Sequence, residues 1–479
     1  MSTVAQVAAA TPASRDRYVD FLRVASLLGV IVGHFVMAVV LFDFSTGDFH
    51  FTNILALAPW TRGATWVLQV MPVFFVVGGF SHAVTVRSLR RRGGGYADFV
   101  RARIGRLVQP ALVFVMVWLV VGAVLDLAAG DEPLVQQAAQ IAGQLLWFIG
   151  IYLLVAACAP LMVRAHERWG WRVLALLVLA VVAVDVVRLA GGVEPVMWLN
   201  FAFVWLAIHQ AGFFYADGVA DRVGAARLGG MLLGIGAVTL SALVLWGPYG
   251  VAMVSYEGET LSNLTPPTVA LLAFATAQAG VLLLCRGPVT RWLQRPRPWR
   301  AVVAGGAVAM TAFLWHFTAL IAVYAVLYVA RVNLTAVPTQ WSWWGVKALL
   351  AVPFALVVAA LVMLWRRFDR PPAPTAVVGP AMWRTVVAAL AAVCAMVGML
   401  GFAVVGFRGV VRGYVGHIAV VPMTSLAAAM LVAGGAALAV LAARGGYRHS
   451  SIHASTSGLD SVPEASGRVS GSPEDAATQ

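Results

Sequence analysis

The chain is 479 residues long, with 61% hydrophobic and only 11% charged residues and a mean hydropathy of +0.86. A soluble domain carries about a quarter charged residues, so this composition excludes a soluble globular fold and makes lipid the solvent for most of the chain. The formal net charge of +13 would suit nucleic acid if the basic residues were gathered into a patch, but they fall between apolar runs, which excludes that partner class.

Runs of about 20 apolar residues, the length that crosses a bilayer, predict twelve helices. In chain order they lie near 19–42, 63–86, 107–128, 140–163, 173–190, 197–216, 228–247, 267–285, 301–329, 343–365, 383–405 and 419–443. The first follows Arg15 and Arg17, is too long for a signal peptide and carries charge at its start, so it is read as a retained helix. The fifth is short, and the ninth is long enough to tilt or break. Cys158, Cys285 and Cys394 each sit inside an apolar run without a second ligand nearby, so neither a disulfide framework nor a metal site is expected.

Arginine-rich loops stay on the cytoplasmic side of a membrane. With the N-terminus inside, the inner segments hold Arg87, Arg90, Arg91, Arg92, Arg101, Arg103 and Arg106, then Arg164, Arg168 and Arg172, and later clusters at 222–227, 286–300 and 366–384. The outer segments hold only Arg62, Arg188, Arg331, Arg408 and Arg412, beside acids such as Asp43, Asp48, Asp131, Glu132, Glu257 and Glu259. Both termini are therefore expected in the cytoplasm, with the protein a multi-pass component of the cell membrane. The Ser, Gly, Pro and Glu of 444–479 cannot bury enough apolar surface to order themselves and read as a disordered tail, with His449 and His453 as solvated side chains.

An ionisable group at membrane depth is costly and needs a partner or a task. The first helix holds three. Asp20 and Arg23 are three residues apart and can pair on one face. Arg23 and His34 are eleven apart, close to three full turns and a rise of about 16 Å, so a cation near the cytoplasmic mouth and an imidazole about half-way across share one stripe. Such a stripe can line a slot for a long donor with a charged head. Taken singly, His34 also fits a hydrogen bond to a neighbouring helix, and Arg23 a snorkelling anchor. Asn200, His209, Asp126 and Asp185 read as helix–helix hydrogen-bonding groups, with cavity lining as the alternative.

Arg23 and His34 with ten residues between them, preceded by Asp20 in a Tyr-x-Asp-x-x-Arg context, resemble the first-helix motif of the acyltransferase 3 family of membrane acyltransferases. Pro72-Val73-Phe74-Phe75-Val76-Val77-Gly78-Gly79-Phe80 resembles the family's Phe-Phe-x-x-Ser-Gly-Phe segment, with Gly78 where serine is usual and Ser81 following the phenylalanine. Arg103-x-x-Arg106 before Pro110 resembles its Arg-x-x-Arg motif. Leu146-Trp147-Phe148 and Thr311-Ala312-Phe313-Leu314-Trp315-His316 resemble its Leu-Trp-Phe and Tyr-Leu-x-His segments. The resemblance spans roughly 16–365 and implies an all-α polytopic bundle with a ten-helix core, which makes 366–443 two additional helices and 1–15 a short N-terminal segment.

The resemblance also implies an enzyme that transfers an acyl group, acetyl or another short chain, from cytoplasmic acyl-CoA to a hydroxyl of a carbohydrate, glycolipid or other envelope acceptor. The assignments are His34 as general base, Arg23 orienting or electrostatically supporting the donor with Asp20 fixing Arg23, and Arg103, Arg106, Gly78, Gly79 and Phe80 on the donor side. Guanidinium forks suit phosphate, and a buried imidazole favours the neutral, basic form. Trp147 and His316 are candidates for the acceptor side or the cavity wall. Acyl-CoA is expected as a cosubstrate, with no bound cofactor and no metal. Two other classes fit the same helices: a proton-coupled secondary transporter, given the buried Asp, Arg and His, and an inactive scaffold that keeps the fold.

Overall fold

The computed structural model describes residues 4–12, 15–130, 132–368 and 377–443; the tail expected at 444–479 lies outside them. A helix occupies each predicted segment: α1 Arg17–Met37, α2 Met71–Arg91, α3 Tyr96–Ala129, α4 Leu146–Trp169, α5 Trp171–Leu189 and α6 Asn200–Ala216, then α7 Ala225–Trp246, α8 Val269–Leu293, α9 Ala309–Val329, α10 Trp341–Trp365, α11 Met382–Val405 and α12 Ser425–Leu441. Ten helical stretches among the described residues are long and apolar enough to cross a membrane, so this is a polytopic helical membrane protein. The twelve expected spans exceed that number by α5 and α12. α5 is 19 residues long but carries Arg172, Asp185 and Arg188, and α12 has only 17 residues.

Two expectations about helix ends change. The first helix was read to 42, but it stops at Met37, and Ala38 turns extended with φ −67° and ψ 122°. The apolar run continues as strand β1, Ala38–Asp43, paired antiparallel with β2, Asp48–Asn53, from Ala38 opposite Asn53 to Asp43 opposite Asp48. Hydropathy alone cannot separate a helix end from a short apolar strand, and Val39 and Val40 favour the strand because of their branched Cβ. The turn is built by Asp43, which accepts from the Ser45 amide and hydroxyl, and by Gly47, whose φ of +78° is open to glycine at no steric cost. The ninth predicted run breaks, as its length allowed: a helix over Pro296–Gly306 ends beside Gly305 and Gly306, and α9 starts at Ala309.

Glycine sets how closely the helices approach. A Cβ on Gly79 of α2 would stand 1.9 Å from the His209 carbonyl oxygen, and one on Gly212 of α6 would stand 2.1 Å from that of Val76. These two helices therefore touch backbone to backbone, the close packing that small residues permit in lipid, where no hydrophobic force drives helices together. α7 and α8 meet in the same way at Gly236 and Gly280. The helices beyond the expected ten-helix core are not peripheral. α11 packs on α4, α3 and α12, fully buries Ala391, Ala395 and Phe402, and presses its Phe402 carbonyl where a Cβ on Gly143 would be, at 2.5 Å.

Candidate functional site

α1 is started by Asp16, whose carboxylate accepts from the Val19 amide, and it lies against α2, α8 and α9. Near its first turn, cations and their partners collect. Arg15 Nε donates to Asp20 Oδ2 at 2.5 Å, and Arg23 Nη1 reaches Asp20 Oδ1 at 3.4 Å. The second arm of Arg23 donates to Ser81 Oγ of α2 at 3.0 Å. One turn along α2, Thr85 donates to the Ser81 carbonyl and accepts from Arg103 Nη2 at 2.7 Å. Arg103 also lies over the Phe99 ring, 5.3 Å from guanidinium carbon to centroid, and its buried Nε has no hydrogen-bond partner. Arg23, Arg103 and the exposed Arg106 lie within electrostatic range of one another and of Tyr152. Three cations so close need compensating negative charge, and Asp20 supplies only part of it.

The wider arginine mouth read from the sequence divides. Arg87 pairs with Glu167 and Asp217, Arg90 pairs with Glu167, and Arg101 lies 3.6 Å from Asp98. The first three pairs tie α2, α4 and the end of α6 together, and the last lies within α3. Arg103 and Arg106 are the members that join Arg23: they fall about two and three turns into α3, Arg103 reaches Thr85 of α2, and both lie within electrostatic range of Arg23. Sequence distance along a loop could not make that distinction.

Between Arg23 and His34 the same face of α1 presents Ser26, Leu27 and Val30 to a narrow crevice. Val70, Met71 and Phe74 from the α2 side, Phe148 of α4 and Phe313 of α9 form its other wall, and it is too tight to admit a water molecule. Ser26 turns its hydroxyl back to the Leu22 carbonyl at 2.7 Å, so the lining is effectively apolar.

One turn beyond Val30 on α1, His34 Nδ1 lies 2.9 Å from His316 Nε2 of α9. The two imidazoles are nearly coplanar, with 6° between the planes and 5.1 Å between centroids. A centroid separation that exceeds the nitrogen contact by two ring radii is an edge-to-edge, in-plane hydrogen bond rather than a face-to-face stack. His316 is 1% exposed, and its Nδ1 sits 2.5 Å from the Phe313 carbonyl oxygen. A carbonyl can only accept, so that nitrogen carries a proton. In the neutral ring His316 Nε2 is then the acceptor, His34 Nδ1 the donor, and His34 Nε2 is left with a bare lone pair. The tautomer follows from the contacts, as hydrogens are assigned from the network. His34 is half-buried and rests against Phe317 at 4.7 Å between centroids.

The remaining predicted residues take defined places. Gly79 is occupied by the α2–α6 contact described above. A Cβ on Gly78 would lie 3.0 Å from the Tyr152 hydroxyl, so where the resembled pattern has serine on α2, a hydroxyl arrives instead from α4. Phe80 packs edge-on against Tyr215 at 5.5 Å, away from the arginines, and Trp147 is half-buried against Phe148. His209 hydrogen-bonds His82 across α2 and α6 at 3.0 Å. Asp185 accepts from Asn200, Tyr249 and the Val269 amide, which joins α5 to α6 and to the start of α8, whereas Asp126 accepts from the Val411 and Arg412 amides and so ties α3 to the turn after α11 rather than to a helix. Sequence reasoning missed Tyr152, which also lies 3.3 Å from His82 Nε2. Its one signal was a polar ring within the Leu-Trp-Phe helix.

A sequence model of the acyltransferase domain family matches residues 16–365. That stretch covers most of the chain and both clusters on α1, and the chain belongs to this family. No curated protein and no solved structure matches it.

Proposed function

We propose that this family member is a membrane acyltransferase that takes its acyl group from acyl-CoA at the arginine-rich end of the bundle, which the arginine asymmetry makes cytoplasmic. It delivers that group to a hydroxyl of a carbohydrate, glycolipid or other envelope acceptor met at the other end. The observation that carries the reading is the hydrogen-bond chain from the Phe313 carbonyl through His316 to His34, which leaves His34 Nε2 as a lone pair on the stripe that begins at Arg23.

Arg23, Arg103 and Arg106 suit the donor's phosphates. Arg103 Nε is buried without a partner, and guanidinium forks bind phosphate bidentately. The apolar crevice lies along α1 between Arg23 and His34, and its rings would have to part to admit the extended arm that links nucleotide to thioester. In the transfer step the acceptor O–H bond breaks and its proton goes to His34 Nε2. The freed oxygen bonds to the thioester carbonyl carbon, the C–S bond breaks, and the proton passes from Nε2 to the leaving sulfur, giving ester and free thiol. His34 Nδ1–H stays bonded to His316 throughout, so the imidazolium formed in mid-reaction is held by a neutral acceptor.

The test uses purified protein in lipid nanodiscs with acetyl-CoA and a lipid and glycan extract as the acceptor source. Free thiol should appear together with acylated product, and both should vanish in His34→Gln. Intact thioester accompanied by movement of a small molecule across the membrane would replace this reading with the proton-coupled transporter.

A further inference from the structure

Of the 33 basic residues in the chain, Lys347 is the one lysine, and it stands on α10 at the end of the bundle opposite the arginine cluster. It is 5% exposed. Its Nζ donates to the Ala38 carbonyl at 2.6 Å and lies 3.0 Å from the Tyr324 hydroxyl. The rings of Phe35, Tyr324 and Trp343 surround it, at 4.6 Å, 5.5 Å and 5.5 Å from Nζ to centroid. Among the described residues no carboxylate interacts with it. A cation held out of water without a counter-charge is expensive, and aromatic faces and a helix-end carbonyl offset only part of that cost.

An ammonium has three N–H donors, and two have protein partners here. Beside it lies a cavity of about 120 Å³, lined by Lys347, Tyr324, Trp343, Asn333 and Thr335 together with apolar residues. That is room for several waters or one small oxyanion. We propose that this cavity is an anion site, which takes a carboxylate or phosphate oxygen of a small hydroxylated ligand on the third donor of Lys347. The placement relates the site to His34. Ala38, whose carbonyl Lys347 holds, is four residues on, and its amide donates to the His34 carbonyl, so the backbone group that fixes the ammonium follows the histidine by about one helical turn. In this proposal a ligand anchored there by its charge extends its hydroxyls toward the His34 end of α1. As an anchor for the acyl acceptor the site rests on the transferase reading, whereas as an anion site it stands without it.

The unique lysine makes the test specific. Protein labelled with ¹³C at lysine Cε gives one lysine signal, read in maltoside micelles free of phosphate and lipid. Inorganic phosphate, glucuronate and phosphatidylglycerol are added separately, with glucose as the uncharged control. A saturable shift with an anion and none with glucose is expected, and the anion that acts identifies phosphate, carboxylate or lipid headgroup as the source. In parallel, that anion should raise the melting midpoint of the wild type and leave Lys347→Met unmoved. If Lys347→Met does not fold, the labelled wild type decides alone. No shift with any anion up to 100 mM, the top of the titration, or the same shift with glucose, overturns the proposal. Binding by a protein that transfers no acyl group would leave the anion site standing and remove only its role as acceptor anchor.

Discussion

At its start, α1 shares its cations: Arg15 and Arg23 both reach Asp20, Arg23 also takes Ser81, and Arg103 takes Thr85. Past its far end a single ammonium is held by a backbone carbonyl and a phenol, behind three aromatic rings. The first arrangement is half-exposed and built of weak, exchangeable bonds, so a phosphate can replace hydroxyl and carboxylate partners at little cost. The second is fixed, and its one spare donor adjoins a small cavity. Between them lies His34, whose protonation pattern is set by a neighbouring helix rather than by solvent. The contrast teaches that charge at one end is arranged to be shared with an incoming group, and at the other to hold a position.

The largest effect should come from the group between the two ends. His34→Gln keeps a hydrogen bond to His316 but removes the bare nitrogen, and transfer turnover should fall about 10²–10⁴-fold, the usual contribution of a general base. Donor binding measured on the same protein should stay near wild type. Near-normal turnover would remove His34 from the chemistry. At the shared end, Arg23→Ala with Arg103→Ala should weaken acyl-CoA binding by about 1.5–3 kcal/mol per lost charged hydrogen bond, with only partial rescue by lysine, which lacks the fork. Calorimetry showing unchanged affinity would make both side chains structural.

His316→Phe fills the space while freeing the His34 tautomer. Turnover should drop about 10–100-fold, the scale of losing an outer hydrogen-bond partner, with the donor's KM little changed. Selective ¹⁵N spectra should then show His34 with mixed tautomers in place of a bare Nε2. Gly79→Ala should destabilise the fold by about 1–3 kcal/mol, because the helices must part to admit the methyl group, and this would be read as a lower melting midpoint in detergent. Gly33→Ala, beside His34, meets no atom within 4 Å and should change stability by less than about 0.5 kcal/mol. A large loss there would mean that the α1 face is more crowded than its contacts imply.

Much of this was legible without coordinates. Helix positions follow from hydropathy because a bilayer enforces length, and the Arg23 to His34 stripe follows from helical pitch alone. Lys347 was visible as the one lysine among arginines, but not its depth or its partners. The resemblance singled out Arg103 and Arg106, but the partners of Arg87 and Arg90 were invisible, since Glu167 and Asp217, which absorb them, lie more than seventy residues downstream. The pairing of His34 with His316 spans 282 positions, and no local pattern encodes it. The end of α1 at Met37 was misread because valines in an apolar run serve strand and helix alike until a pairing partner is known.

The crevice between Arg23 and His34 admits no water, and this bears on the cell as much as on the reaction. A bilayer holds its voltage because few protons or ions cross it, and a standing aqueous path from the arginine mouth to the imidazole would drain that voltage continuously. With Phe74, Phe148 and Phe313 lining the crevice beside Leu27 and Val30 of α1, this stretch holds no standing column of water. Passage of a flexible chain then requires these rings to part around it and close behind it. On the proposed transferase reading, electrical tightness and passage of the donor's arm are thus demands on one set of side chains, and larger rings at these positions would trade throughput for insulation.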